Sequence, residues 1–124
     1  MRRNLLIVGG SLNIIMAVFH MAFWSLFDWP KELPKLSPEN QGIVPMLNVA
    51  WIYTILGNAF ISFYLARVKE TTFLHKALMA IIGGGYLLRI VFGYPYFGFD
   101  LVELLVWAYC LAVMLCYGLA MWQK

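Results

Sequence analysis

"GGGYLLRIVFGYPYFGFD", residues 83–100, is the stretch that decides the fold. One arginine, Arg89, stands in a run that is otherwise glycine, aromatic and aliphatic. Extended back to Phe73, the run is long enough to cross hydrocarbon as a single helix, which takes about 20 residues. Pro95 and Gly98 are expected to break that helix, and Asp100 to cap the next one. A permanent cation inside such a segment costs roughly 2.5–3.5 kcal/mol on insertion scales and marks a candidate functional position.

The rest of the chain has the same character. Its 124 residues are 63% hydrophobic and 12% charged, with a mean hydropathy of +0.78. A soluble domain carries about 25% charged residues, and half that share cannot cover a water-facing surface. The apolar blocks exceed about 18 residues, the length of a spanning helix. The expected fold is all-α: a polytopic membrane protein, an antiparallel four-transmembrane-helix bundle forming one domain over residues 1–124. The predicted spans are Asn4–Phe27, Ile43–Ala66, Phe73–Phe97 and Leu101–Trp122. Arg2 and Arg3 before the first block resemble a secretory leader. However, "AVFHMAF" puts Phe and His where a cleavage site needs small residues, so a retained first span is expected.

The links support this division. "DWPKELPKLSPENQG", residues 28–42, holds three prolines and five of the fifteen charged residues, and reads as a surface loop. Within it Ser37, Pro38 and Glu39 form a helix-start pattern. A short interfacial helix leading into span two is expected there, with Pro45 kinking the junction. "RVKETT", residues 67–72, is tight, and Thr71 or Thr72 can cap span three. Helices joined this closely are expected to be antiparallel neighbours.

Basic residues set the orientation. Arg2, Arg3, Arg67, Lys69, Lys76 and Lys124 fall at one end, and Lys31 and Lys35 at the other. Positive residues stay in the cytoplasm, so both termini are expected there, in a bacterial-type inner membrane. Trp24, Trp29, Tyr94 and Tyr96 would form an outer aromatic belt and Trp122 an inner one. The formal charge of +3 then reflects membrane flanks rather than a nucleic-acid surface. Cys110 and Cys116, six apart in one helix, cannot pair without unwinding it, and read as apolar filler.

Few polar residues lie inside the spans: Asn13 and His20 in the first, Asn48 and Asn58 in the second, Arg89 in the third and Glu103 in the fourth. His20 and Arg89 each sit about two turns below the outer surface, and Asn48 and Glu103 lie nearer to it. Helical phase aligns Asn13, His20 and Trp24; Trp51, Asn58 and Ser62; Gly85, Arg89, Gly93 and Tyr96; and Glu103, Trp107, Cys110 and Met114. Turning these faces inward gives a polar outer-leaflet pocket. Its candidate ligand-binding residues are Arg89, His20, Asn48, Glu103, Trp24 and Trp107.

Structural roles stand beside each of these. Arg89 can be an ion-pair member or snorkel to headgroups. Glu103 follows Asp100 in "DLVE", a capping-box-like pattern. His20 can be a packed histidine, and the asparagines interhelical hydrogen-bonders. "GGG" favours close helix packing, and His75 reads as a solvated flank residue.

Several chemistries drop out. His20 and His75 are on the order of 25 Å apart by helical rise, too far for bis-histidine haem. Zinc or di-iron centres want three or more ligands. No Cys-x-x-Cys, phosphate loop, dinucleotide fingerprint or Gly-x-Ser-x-Gly is present. No cofactor or metal is expected, and no nucleic acid.

In outline the chain resembles the small multidrug exporters, but their essential mid-span glutamate is replaced here by Asn13 and His20. "FHMAFWSLFDWPKELPKLSPENQG…LN" followed by "LLR" is similar to small bacterial four-helix membrane proteins of unassigned function. That resemblance implies the four-helix fold and no activity. The leading expectation is a binding or accessory protein whose pocket holds a lipid headgroup, an anionic amphiphile or a partner subunit. The alternatives are a membrane enzyme using His20 as acid or base with Arg89 stabilising charge, and an oligomeric transporter protomer.

Overall fold

The computed structural model describes residues 1–123. Lys124, counted in the charge asymmetry, lies outside the described residues. The described chain is helical, with no strand among those residues. The elements are α1 (Arg2–Met21), α2 (Phe23–Leu26), α3 (Trp29–Glu32), a 3-10 turn (Leu33–Lys35), α4 (Pro38–Leu65), α5 (Phe73–Phe97) and α6 (Leu101–Trp122). Four of them, α1, α4, α5 and α6, are long and apolar enough to cross a membrane.

Two boundaries differ from expectation. The first long helix stops at Met21 and gives way to the short α2, so the expected span to Phe27 is broken at Ala22. After α2 the chain turns at Asp28, whose φ of 46° is left-handed. Aspartate is among the few non-glycine residues found there. At the second boundary, the helix expected to start at Ser37 is not separate from span two: α4 begins at Pro38 and runs unbroken past Pro45, and the short α3 and 3-10 turn end before it. Proline suits the first helical turn, where its missing N–H has no partner in any case.

Helix α5 has the expected bounds, Phe73–Phe97, with Pro95 inside its last turn rather than ending it. The helix stops at Gly98, where φ is 73° and the N–H bonds to Tyr94 O at 2.9 Å. The caps of α5 and α6 are local. Thr72 Oγ1 accepts from the His75 N–H, and His75 Nδ1 accepts from the Thr72 N–H, which gives His75 a capping role. Asp100 Oδ1 accepts from the Glu103 N–H at 2.7 Å.

Helix α1 packs against α4 and α6, and α5 packs against α6, whereas α4 and α5 touch only lightly. Arg2 at the start of α1 donates to Val68 O just past α4. Packing is uneven along the helices. The apolar core is built from Leu6, Leu65, Met79, Ile82, Val113 and Tyr117 with their neighbours, at and inward from the middle of each helix. From there toward the 22–37 link, only Ala17, Gly93 and Glu103 are buried. Around the outside, large apolar side chains are exposed on every long helix, including Phe60, Ile81 and Leu105. So much exposed apolar surface is unlike a water-soluble monomer. It suits helices whose outer faces meet lipid.

Candidate functional site

Arg89 and Glu103 meet across α5 and α6. Arg89 Nη1 donates to Glu103 Oε1 at 2.6 Å and Nη2 donates to Oε2 at 2.9 Å. This is the two-pronged geometry that a planar guanidinium and a carboxylate share. The local sequence arranges it. Gly98 turns the chain and Asp100 caps α6 by taking the Glu103 N–H, so only half of the capping-box pattern forms. The Glu103 carboxylate is spent on Arg89 instead. Phe97 covers one face of the guanidinium, with its ring centroid 4.6 Å from Cζ.

Glycine makes the meeting possible. A β-carbon at Gly93 would run into Glu103 Oε1, Arg89 Nη1 and Trp107 Nε1. The ion pair and the indole therefore occupy space that any other residue at 93 would fill. The pair removes an isolated charge from the apolar interior, where either partner alone would be costly.

The two partners are unequal. The Glu103 side chain is 6% exposed and that of Arg89 is 31% exposed. Both Glu103 oxygens are engaged, while Arg89 uses two of its five N–H donors in the pair. Beside them Trp107 Nε1 is buried without a hydrogen-bond partner. Phe99 packs on that indole at 5.8 Å between centroids. Arg89 and Trp107 thus keep N–H donors beside a carboxylate whose two oxygens are both engaged.

His20 and Asn48 form a second group. Asn48 Nδ2 donates to His20 O at 3.0 Å and ties α4 to the end of α1. That carbonyl is among the last four of α1, which lack partners within the helix. The His20 ring bonds Met16 O through Nδ1 at 3.0 Å and stacks on Phe23 at 4.4 Å. Among the described residues, no hydrogen bond or ion pair joins His20 or Asn48 to Arg89 or Glu103. Trp24 is exposed and packs edge-on against Trp29 at 6.1 Å. Of the six candidate residues, the structure gathers Arg89, Glu103 and Trp107 in one group, links His20 to Asn48 in another, and leaves Trp24 in the aromatic cluster of the link.

A buried polar centre lies deeper. Asn13 Nδ2 donates to Tyr117 Oη and to Gly9 O, both at 2.8 Å, and Tyr86 Oη donates to Asn13 Oδ1 at 2.8 Å. The hydroxyls of Ser62 and Tyr117 share a bond of 2.6 Å. One side chain from each long helix thus joins a single network, closed to solvent. Tyr109 adds a bond from α6 to Leu12 O on α1. Sequence reasoning put Asn13 and Ser62 on inward faces but missed Tyr86 and Tyr117. The signal was available: the face Glu103, Trp107, Cys110, Met114 continues to Tyr117, and Gly93 and Arg89 lead back to Tyr86 at the same helical spacing.

Among the described residues, no three His, Cys, Asp or Glu side chains come together as a metal site would require. No family model, no curated protein and no solved structure matches this chain. Function therefore rests on the chemistry of the site itself.

Proposed function

We propose that this chain is a multi-pass protein of a bacterial-type inner membrane, a single antiparallel four-helix bundle with both termini cytoplasmic. In this reading it is a small binding or accessory protein. The Arg2–Val68 and Asn48–His20 bonds support the antiparallel arrangement, because one joins the start of α1 to the end of α4 and the other joins the end of α1 to the first half of α4. The charge asymmetry supports the orientation: Arg2, Arg3, Arg67, Lys69 and Lys76 lie at one end, against Lys31 and Lys35 at the other.

Its ligand is an anionic amphiphile, a lipid headgroup or a partner's acidic group reaching the outer half of the helices. One observation carries this reading. The Arg89–Glu103 pair saturates the carboxylate but leaves the guanidinium partly exposed with N–H donors unused. The unpartnered Trp107 indole N–H beside it adds a further donor. A carboxylate or phosphate oxygen would accept from both groups without breaking the pair. The partial exposure of the Arg89 side chain leaves it reachable from the bilayer.

Lipids that copurify with the protein, identified by mass spectrometry, test the proposal. Trp107→Phe removes the indole N–H and keeps most of the ring. Arg89→Gln/Glu103→Gln removes both charges together. Each is expected to lower retention of an anionic ligand severalfold while the helix content holds. Equal retention by wild type and both variants would sink the reading.

A further inference from the structure

We infer that the opposite end of the molecule holds a second anion site, one that takes the phosphate of an acidic membrane lipid. An open basin of about 600 Å³ lies where the start of α1, the α4–α5 link and the end of α6 meet. Its volume falls within the range of about 300–1,000 Å³ usual for small-molecule sites. Arg2, Arg3, Arg67 and Lys69 line it, and among the described residues no carboxylate does.

Lys31 pairs with Asp28, Lys35 with Glu32 and Arg89 with Glu103, whereas Lys76, at the same end of the molecule as the basin, is in no ion pair among the described residues. Among the described residues, none of the four basin cations has a carboxylate partner. Two of them are held by backbone: Arg2 donates to Val68 O and Arg67 Nη1 to Phe63 O at 3.3 Å. Arg3 and Lys69 make no hydrogen bond to the described protein. Four like charges around one concavity repel one another, and an anion seated among them relieves that repulsion.

The lipid phosphate is favoured over a free one by position. The basin sits at one end of the long helices, whose flanks face outward as apolar surface; in a bilayer spanned by those helices, that end would meet the headgroups. Basic clusters at such a boundary attract acidic lipids, and pockets between helices there hold their head groups. The phosphodiester would lie among the guanidinium groups with its acyl chains against the helix flanks. This site is independent of the Arg89 pair, at the other end of α5 and α6.

The test is a titration of purified full-length protein in neutral detergent with phosphatidylglycerol, phosphatidylcholine or inorganic phosphate, read as lipid bound per protein by native mass spectrometry and as the shift in melting midpoint. Phosphatidylglycerol is expected to bind and raise the midpoint, with phosphatidylcholine and inorganic phosphate at equal concentration doing little. Arg3→Gln/Lys69→Gln changes only side chains without hydrogen bonds to the protein, so the fold should persist. It should bind phosphatidylglycerol roughly tenfold more weakly. Lys31→Gln/Lys35→Gln, with the same loss of charge at the other end, should bind as wild type does. Unchanged binding by the Arg3/Lys69 variant, or equal loss in the Lys31/Lys35 variant, overturns the site. Equal binding of phosphatidylcholine overturns the charge argument. Equal stabilisation by inorganic phosphate overturns the lipid assignment.

Discussion

Tyr117 on α6 and Asn13 on α1, 104 residues apart, share a hydrogen bond of 2.8 Å at a point where both side chains are closed to solvent. Tyr117 also bonds Ser62, and Asn13 also bonds Tyr86. In lipid, helices gain little from the hydrophobic effect, and interhelical packing and hydrogen bonds take its place.

Loss of this network should therefore register as loss of stability. Interhelical bonds in membrane proteins contribute on average about 0.6 kcal/mol each, up to roughly 1.7. Tyr117→Phe, which strips two bonds and keeps the ring, is expected to cost about 1–2 kcal/mol. Asn13→Ala should cost more, because it also leaves Tyr86 without its acceptor and opens a cavity. Unfolding of purified protein in mixed micelles measures both.

Gly93 offers a sharper contrast. Alanine is intrinsically better than glycine in a helix by about 1 kcal/mol. Gly84 and Gly85 have open space where a β-carbon would go. Gly84→Ala and Gly85→Ala should be neutral or slightly stabilising, whereas Gly93→Ala should lose about 2–3 kcal/mol by forcing the Arg89–Glu103 pair apart. The three melting midpoints decide the matter. A Gly93→Ala midpoint equal to the other two would mean that the pair does not occupy that space.

The ion pair itself should behave as a unit. Arg89→Met leaves Glu103 buried and unpaired, at a cost of roughly 3 kcal/mol or a forced protonation. Arg89→Met/Glu103→Met should recover most of that loss, since two matched apolar side chains replace two matched charges. A double-mutant cycle measures the coupling. Additive losses would show that the two residues do not depend on each other.

Capping predicts a smaller effect. Asp100→Ala removes the acceptor for the Glu103 N–H and should cost about 1 kcal/mol. Asp100→Asn and Asp100→Ser should retain most of the stability. Thermal unfolding of the three variants orders them. An unaffected Asp100→Ala would mean that the α6 start is held by the ion pair alone.

Orientation can be read chemically. Cys110 and Cys116 are buried and should resist a membrane-impermeant maleimide. In intact cells Lys31→Cys should label and Lys69→Cys should not, and in inverted vesicles the pattern should reverse. The opposite pattern would place the 22–37 link in the cytoplasm.

What the sequence determined alone was local. Apolar run length set four long helices, and the ends of α5 and α6 followed from Thr72, Gly98 and Asp100, because caps and turns act within a few residues. It also put Arg89 and Glu103 in the same outer half of adjoining helices, since a short turn leaves little freedom between them. The tertiary structure decided what depends on the rotation and spread of separate helices. It gave the Glu103 carboxylate to Arg89 rather than to its own cap, set the pair against Gly93, and joined Asn13, Ser62, Tyr86 and Tyr117. His20 and Asn48 were left bonded to each other and not to the arginine. Polar side chains in an apolar setting take whichever partner helix packing brings within about 3 Å, and residue spacing along one helix does not contain that choice.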